Sequence, residues 1–194
     1  KRYEQYKKSA EFPEYTKSTL ASMLGKMAID QTDIKLPAKI QYLEHDTDGD
    51  ELSIYGLLES CASNALQAKW HMLVADYKGL TDVKIDELSR ADIERLKPRA
   101  TINQYSRENV VDWYFSRVNG KMQLVYVLLR ECGSTLNEDT LEQTDVTSYL
   151  RLVLGQDGYY QQKLTSTEAG GYQEGEKIPM LVGKEPLKFI PAVI

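Results

Sequence analysis

The chain has 194 residues, a formal net charge of −5 and 42% apolar residues. That length is enough for one generous domain, or two small ones, with a real core, and no apolar run reaches the roughly 20 residues of a bilayer-spanning helix. The acidic balance argues against a protein whose main task is to grip nucleic acid by its phosphates, while leaving room for a surface past which DNA only slides. The opening "KRYEQYKKSAEF" carries charge without the apolar core of a signal peptide. With no initiator Met and an apolar close "KFIPAVI", the chain is expected to be an internal fragment of a longer protein. Cys61 and Cys132 sit among apolar residues and are expected to be buried, reduced thiols of a cytosolic protein rather than a disulfide. Thirteen Tyr against three Phe point to many half-buried, amphipathic positions at sheet faces or subunit contacts.

Residues 1 to 29 read as helix, with Pro13 at a start position and Tyr15, Leu20, Met23, Leu24 and Met27 at spacings of mostly three and four. "DIKLPAKIQYLEHDTDGD" is a connector with a short helical turn. A second helix begins near Leu52 or Ser53, and Ile54, Leu57, Leu58, Cys61, Ala65, Ala68 and Met72 form one apolar stripe. The pattern changes near Lys69, and "WHMLVADY" reads as a buried strand ending at Asp76. Ser89 caps a short helix from Arg90 to Leu96 that Pro98 ends.

From residue 99 the chain reads as strands. "RATINQYS" is short and mixed. "NVVDWYFSRVNGKMQLVYVLLREC" is a hairpin in which Val111, Trp113, Phe115 and Arg117 alternate with Asp112, Tyr114, Ser116 and Val118. Asn119-Gly120 is a strong type I′ turn signal, because both central residues need φ > 0. A second hairpin turns through Asp157-Gly158. "TEAGGYQEGEKIP" is Gly-rich and expected as a loop, and "EPLKFIPAVI" as one last strand. The expected fold is α+β: N-terminal helices followed by an antiparallel β meander. Residues 1–98 form a mainly helical segment with one strand near 71–77, and 99–194 an antiparallel β segment, together one compact fragment.

The acidic stretch "EHDTDGDELSIYGLLES" poses a calcium question. Asp46, Asp48 and Asp50 occupy loop positions 1, 3 and 5 of an EF-hand-type site, but position 6 is Glu51 instead of Gly and position 12 is Leu57. Glu59 comes two residues too late. The favoured reading is a polar turn whose Asp and Ser residues cap the following helix. His45 and His71 have no metal-pair spacing. No nucleophile elbow, phosphate loop or dinucleotide fingerprint is present. The paired carboxylates (Asp82 and Asp86, Glu138 and Asp139, Glu174 and Glu176) lie in polar loops. No catalytic, cofactor-binding or metal residue is assigned.

The order of segments resembles a family of tailed-phage proteins related to phage portal proteins. The family's amphipathic helix is matched by "YTKSTLASMLGKMAI", and its acidic "DxDGxxLSL" turn by "DTDGDELSIYGLLESCASNAL", with Asp48 and Gly49 at the turn. Its "LLVDY" strand is matched by "MLVADY", with Asp76 in place. The most specific block is "KPRATINQYSRENVVDWYFSRVNGKMQLVYVLLREC", where Pro98, Tyr105, Glu108, Asn109, Val110, Trp113, Asn119, Gly120, Arg130 and Glu131 fall in matching places. "PLKFIPA" resembles the family's close. Two departures stand out: Ala68 to His71 replace the glycines usual before "LLVDY", and Lys188 replaces a usual acidic residue.

The resemblance implies a portal, a ring of subunits at one capsid vertex through which DNA is pumped in and later leaves. The chain would be its wing-like α/β part and no enzyme. The implied partners are further copies of itself in the full-length ring, the terminase, head-completion or tail proteins, and DNA passing without sequence-specific binding, with no membrane. The implied location is the virion, after synthesis in the bacterial host cytoplasm. The alternatives are a non-channel phage or prophage protein-interaction module, a calcium-dependent binding domain at Asp46, Asp48 and Asp50, and, weakest, an unrecognised hydrolase.

Overall fold

The computed structural model describes residues 15–27, 33–78, 99–136, 143–166, 171–182 and 185–194. The expected helix start at Pro13, the Arg90–Leu96 helix between Ser89 and Pro98, and the pairs Asp82/Asp86 and Glu138/Asp139 lie outside these residues. Helix α1 (Tyr15–Met27) buries none of its residues, and Tyr15, Met23 and Met27 remain exposed. A 3-10 helix (Ala38–Glu44) then supplies the short helical turn expected in the connector, with Leu43 buried.

Helix α2 (Ile54–Ala68) starts where the Ser53 hydroxyl accepts a hydrogen bond from the Gly56 amide at 3.1 Å, a cap of the kind worth about 1 kcal/mol. Leu57 is buried on its inner face, whereas Leu58, expected in the same stripe, is exposed. The helix ends at Lys69, whose φ of 70° lies in the left-handed region. A side chain there is strained by roughly 1–2 kcal/mol. Lys69→Gly is therefore expected to stabilise the protein by about 0.5–1 kcal/mol, once the greater freedom of glycine in the unfolded chain is set against the relieved strain. The check is a urea melt: a lower midpoint in the variant would contradict the strain.

The left-handed turn reverses the chain into β1 (Met72–Lys78). Met72, expected as the last member of the helical stripe, is instead the first residue of this strand and is fully buried. β1 is the centre of a three-stranded antiparallel sheet between β2 (Arg99–Tyr105) and the short β10 (Ala192–Val193). On one face of this sheet the Ser60 hydroxyl of α2 donates to Gln104 Oε1 at 2.8 Å. The other face carries Met72 and Val74 into the core.

That core is shared with a five-stranded antiparallel meander formed by β3 (Val110–Val118), β4 (Lys121–Leu136), β5 (Gln143–Gly155), β6 (Gly158–Ser166) and β7 (Tyr172–Pro179). The fold is α+β. Val127, Leu129 and Leu152 are fully buried between the two sheets, beside Val110 and Tyr159. Two bulges alter the expected alternation. Val110 pairs with Leu129 and Asp112 with Leu128, so Val111 is the extra residue; it is exposed and Val110 takes the core position. Tyr114 pairs with Tyr126 and Phe115 with Leu124, so Val125 is extra and both Leu124 and Val127 face inward. A bulge shifts the parity of a strand by one residue.

"GYQEGEK" is not a loop, as its glycines led one to expect, but most of edge strand β7. Gly175 and Glu176 together oppose Lys163, and the close approach explains the glycine: a Cβ on Gly175 would lie 2.9 Å from the Lys163 carbonyl oxygen. The closing strand is also corrected. Two-residue bridges β8 (Leu181–Val182) and β9 (Glu185–Pro186) pair with each other, and β10 follows separately. Between them the backbone is used locally, with the Tyr159 amide donating to the Leu187 carbonyl at 2.8 Å and the Ala75 amide to the Pro191 carbonyl at 2.9 Å. This segment laces β6 to β1 and places Ile190 in the core.

Candidate functional site

The acidic turn is assembled by its own carboxylates. Asp46 Oδ1 accepts from the amides of Gly49 at 2.6 Å and Glu51 at 3.3 Å, and Asp48 Oδ1 from those of Asp50 at 2.8 Å and Leu52 at 3.3 Å. Such Asx-type bonds support the positive φ values of Gly49 (88°) and Glu51 (70°). The second Asp46 oxygen forms an ion pair with Arg99 of β2. Burial pushes the Asp46 carboxyl up, but the hydrogen bonds from Gly49 and Arg99 outweigh it and hold the group below its usual value.

The turn is also stitched to the edge of β2. The Ile102 amide donates to the carbonyl of the fully buried Thr47 at 2.7 Å, and the Tyr42 hydroxyl to the Ala100 carbonyl at 2.8 Å. Asp46 is thus committed to backbone amides and a guanidinium. Among the described residues, no group of three His, Cys, Asp or Glu side chains is placed to hold a metal ion. We expect the same melting temperature in calcium and in chelator. A calcium-dependent rise that Asp48→Ala abolishes would restore the calcium reading.

Trp113 belongs to a second cluster. Arg107, on the 3-10 turn Arg107–Asn109, places its guanidinium carbon 4.8 Å from the Trp70 ring centre and 5.3 Å from that of Trp113. The two indoles meet edge to face with centroids 5.0 Å apart. The stack joins the α2–β1 connection to β3, and cation–π contacts of this kind favour the weakly hydrated guanidinium. Asp76 belongs to a third. Its Oδ1 accepts from Gln161 Nε2 at 3.1 Å, and the same amide donates to the Tyr159 hydroxyl at 2.9 Å, bracing the two sheets across the core. Nearby, the Tyr105 hydroxyl donates to Glu131 at 3.1 Å. Burial, reinforced by Glu131, pushes the Tyr105 phenol far up; burial does the same to Tyr159, so both stay protonated hydrogen-bonding groups at neutral pH.

The turn residues stand apart from these clusters. Asn119 (φ 51°) and Gly120 (φ 79°) form the expected β3–β4 turn. The β5–β6 turn is one residue earlier than expected: Gln156 and Asp157 are its central residues, and Gly158 (φ 126°) opens β6, paired with Gly155. Asp48 and Gly49, Asp76, Trp113, Asn119 and Gly120, and Asp157 and Gly158 are therefore structural positions in five separate places. Sequence reading missed Arg99 as the partner of Asp46, Arg107 as the filling between the chain's two Trp residues, and Gln161 as the partner of Asp76.

The cysteines also differ from expectation. Both are free, but Cys132 is exposed and Cys61 is only half-buried. Cys132 lies where β4 and β5 outrun their neighbours. The ladder of β3 ends at Leu129 and that of β6 at Ser148, so among the described residues the pairs from Cys132↔Thr147 to Leu136↔Gln143 form a two-stranded ribbon. An open groove of ≈ 490 Å³ runs along it, lined by residues including Ser134, Asp145 and Thr147. No family model matches the chain, and no curated protein matches it.

Proposed function

We propose that this chain is the wing-like part of a phage portal, a structural component of the head-to-tail connector ring used in DNA packaging and ejection. The reading rests on the ordered resemblance between Tyr15 and Ala192, and one structural observation carries it: among the described residues, both helices keep exposed apolar side chains. α1 buries no residue, and Met23, Met27, Leu58 and Leu66 leave apolar surface on both helices. A helix with its apolar side chains in water gains stability when a partner covers them, and in a ring that partner is the neighbouring subunit. The projecting ribbon supports the same reading, because an isolated two-stranded ribbon has little stability of its own.

Charge fits passage better than grip. From Glu131 to Leu150 the sequence carries Glu131, Glu138, Asp139, Glu142 and Asp145 and no Lys or Arg. A channel component without rows of phosphate contacts lets DNA move, since each such contact adds affinity and salt-dependent friction. In this role the chain catalyses nothing, and its partners are other copies, the terminase and head-completion or tail proteins, at the capsid vertex of the virion. The exposed helical layer equally suits a non-channel interaction module of a phage or prophage. Deleting the gene from the phage separates the two. The portal reading predicts heads that assemble without packaged DNA, and normally filled heads would overturn it.

A further inference from the structure

The molecule is layered, and its two outer faces differ. α2 lies on the face of the three-stranded sheet that carries Gln104; the core lies on the opposite face, and the five-stranded sheet beyond the core. Each strand of the meander places one tyrosine on the side turned away from that core. Tyr114 pairs with Tyr126, Tyr126 with Val153 and Val153 with Tyr160, opposite in parity to the buried Val127 and Leu152. Tyr149 is four residues from Val153 and shares its side, and the Tyr172 ring meets it edge to face at 5.3 Å. Tyr114 and Tyr172, on the two edge strands, are exposed, and the three between them are half-buried.

This aromatic face is not built to hold phosphates, because its cations are engaged by their neighbours. Arg151 pairs with Glu174 at 3.0 Å and donates to Gln162. Arg130 donates to the Glu108 carbonyl at 3.2 Å, and the Lys177 ammonium lies 5.1 Å from the Tyr160 ring centre. An array of tyrosines suits contact with another protein, since each ring is large, amphipathic and has little conformational freedom to lose.

The helical side carries the matching chemistry. Met23 and Met27 lie one turn apart on α1 and are exposed, and thioethers pack well against aromatic rings. α1 holds Lys17 and Lys26 and no carboxylate, whereas the tyrosine face presents the exposed Asp112 and Glu174. The sizes also agree. A helix of 13 residues is about 20 Å long, and five strands spaced by about 4.8 Å make a face about 19 Å across.

We propose that a second copy of this chain covers the tyrosine face, with its helix α1 lying across the strands of the meander. This deepens the portal reading and rests on its premise that copies of the chain meet one another. The contact is head-to-tail, because its two surfaces belong to opposite sides of one layered body. Pairing like with like would cover one face of each copy and leave the other bare. Helix on sheet covers both, and it repeats from copy to copy until the rotation closes a ring.

The test places the photocrosslinker benzoylphenylalanine at Met23, an exposed position, in the complete gene product that carries this chain. Unlabelled and heavy-isotope-labelled copies are mixed before assembly, irradiated and digested for mass spectrometry, so that isotopically mixed pairs report contacts between copies. The expected result is mixed pairs joining the Met23 position to peptides that hold Tyr114, Tyr126 or Tyr149. Tyr114→Glu, on an exposed side chain, is expected to lower their yield about tenfold at limiting concentration. Closed rings whose mixed pairs avoid these peptides overturn the helix-on-sheet contact and leave the portal reading standing. Helix-to-sheet pairs in a product that forms no ring support the contact and contradict the portal reading. An absence of mixed pairs overturns the contact, as does an unchanged yield in Tyr114→Glu.

Discussion

Gly158→Ala is expected to lower stability by about 3 kcal/mol, the sum of two separable costs. The φ of 126° is a conformation that side-chain-bearing residues rarely adopt. A Cβ at this position would also lie 2.6 Å from Pro186 Cβ and 3.0 Å from the Leu187 carbonyl oxygen. Relief by moving that segment is expensive, because the Leu187 carbonyl accepts the Tyr159 amide and the Leu187 amide donates to the Met180 carbonyl. Gly120→Ala provides the comparison. Its φ of 79° is also positive, but nothing lies within 4 Å of the added carbon. That variant carries only the conformational cost of about 1–2 kcal/mol. Denaturant melts of both test the steric share, and equal losses would show that the 186–187 segment yields freely.

Leu152→Ala is expected to cost about 3–4 kcal/mol, within the range for opening a cavity under a central strand. Leu152 is fully buried on β5, paired with Val127 on one side and Gln161 on the other. Both neighbours are held by ladders of their own, so collapse around the missing carbons is limited. Against the roughly 5–15 kcal/mol typical of a domain, such a loss shifts the urea midpoint strongly at an unchanged slope. A loss below about 1 kcal/mol would mean that the two sheets do not share the tight core described here.

Where local chemistry decides the structure, the sequence was readable. Ser53 ahead of an apolar stripe marks the start of α2, and Asn119-Gly120 marks a turn that needs two positive φ values. The acidic turn was legible only in part: Ser53 caps α2 as expected, but Asp46 and Asp48 bond the amides of Gly49 to Leu52 and shape the turn ahead of the helix instead of capping it. The misreadings arise where non-local geometry decides. Nothing near Val111 or Val125 announces a bulge, yet each shifts the inward-facing parity of its strand. The Gly and Glu residues of β7 look like a loop until β6 supplies the ladder and Lys163 the close approach that makes Gly175 useful. Met72 satisfied the helical spacing by coincidence, since the left-handed turn at Lys69 had already ended the helix. Cys132, expected to be buried, lies between Glu131 and Gly133 on a ribbon that, among the described residues, has no strand on either side. The Trp70–Arg107–Trp113 stack and the Asp46–Arg99 and Asp76–Gln161 contacts link residues far apart in the chain, up to 85 positions for the last, where no local pattern reports them.

The portal reading gives these elements a common purpose: a braced two-sheet body that presents the exposed apolar side chains of its helices and the β4–β5 ribbon to neighbours. Its most direct test is negative-stain electron microscopy of the complete gene product that carries this chain, imaged beside residues 1–194 alone. The reading predicts closed rings with a central hole from the complete product. Monodisperse single particles from both samples at high concentration, with no ring in any preparation, would contradict it.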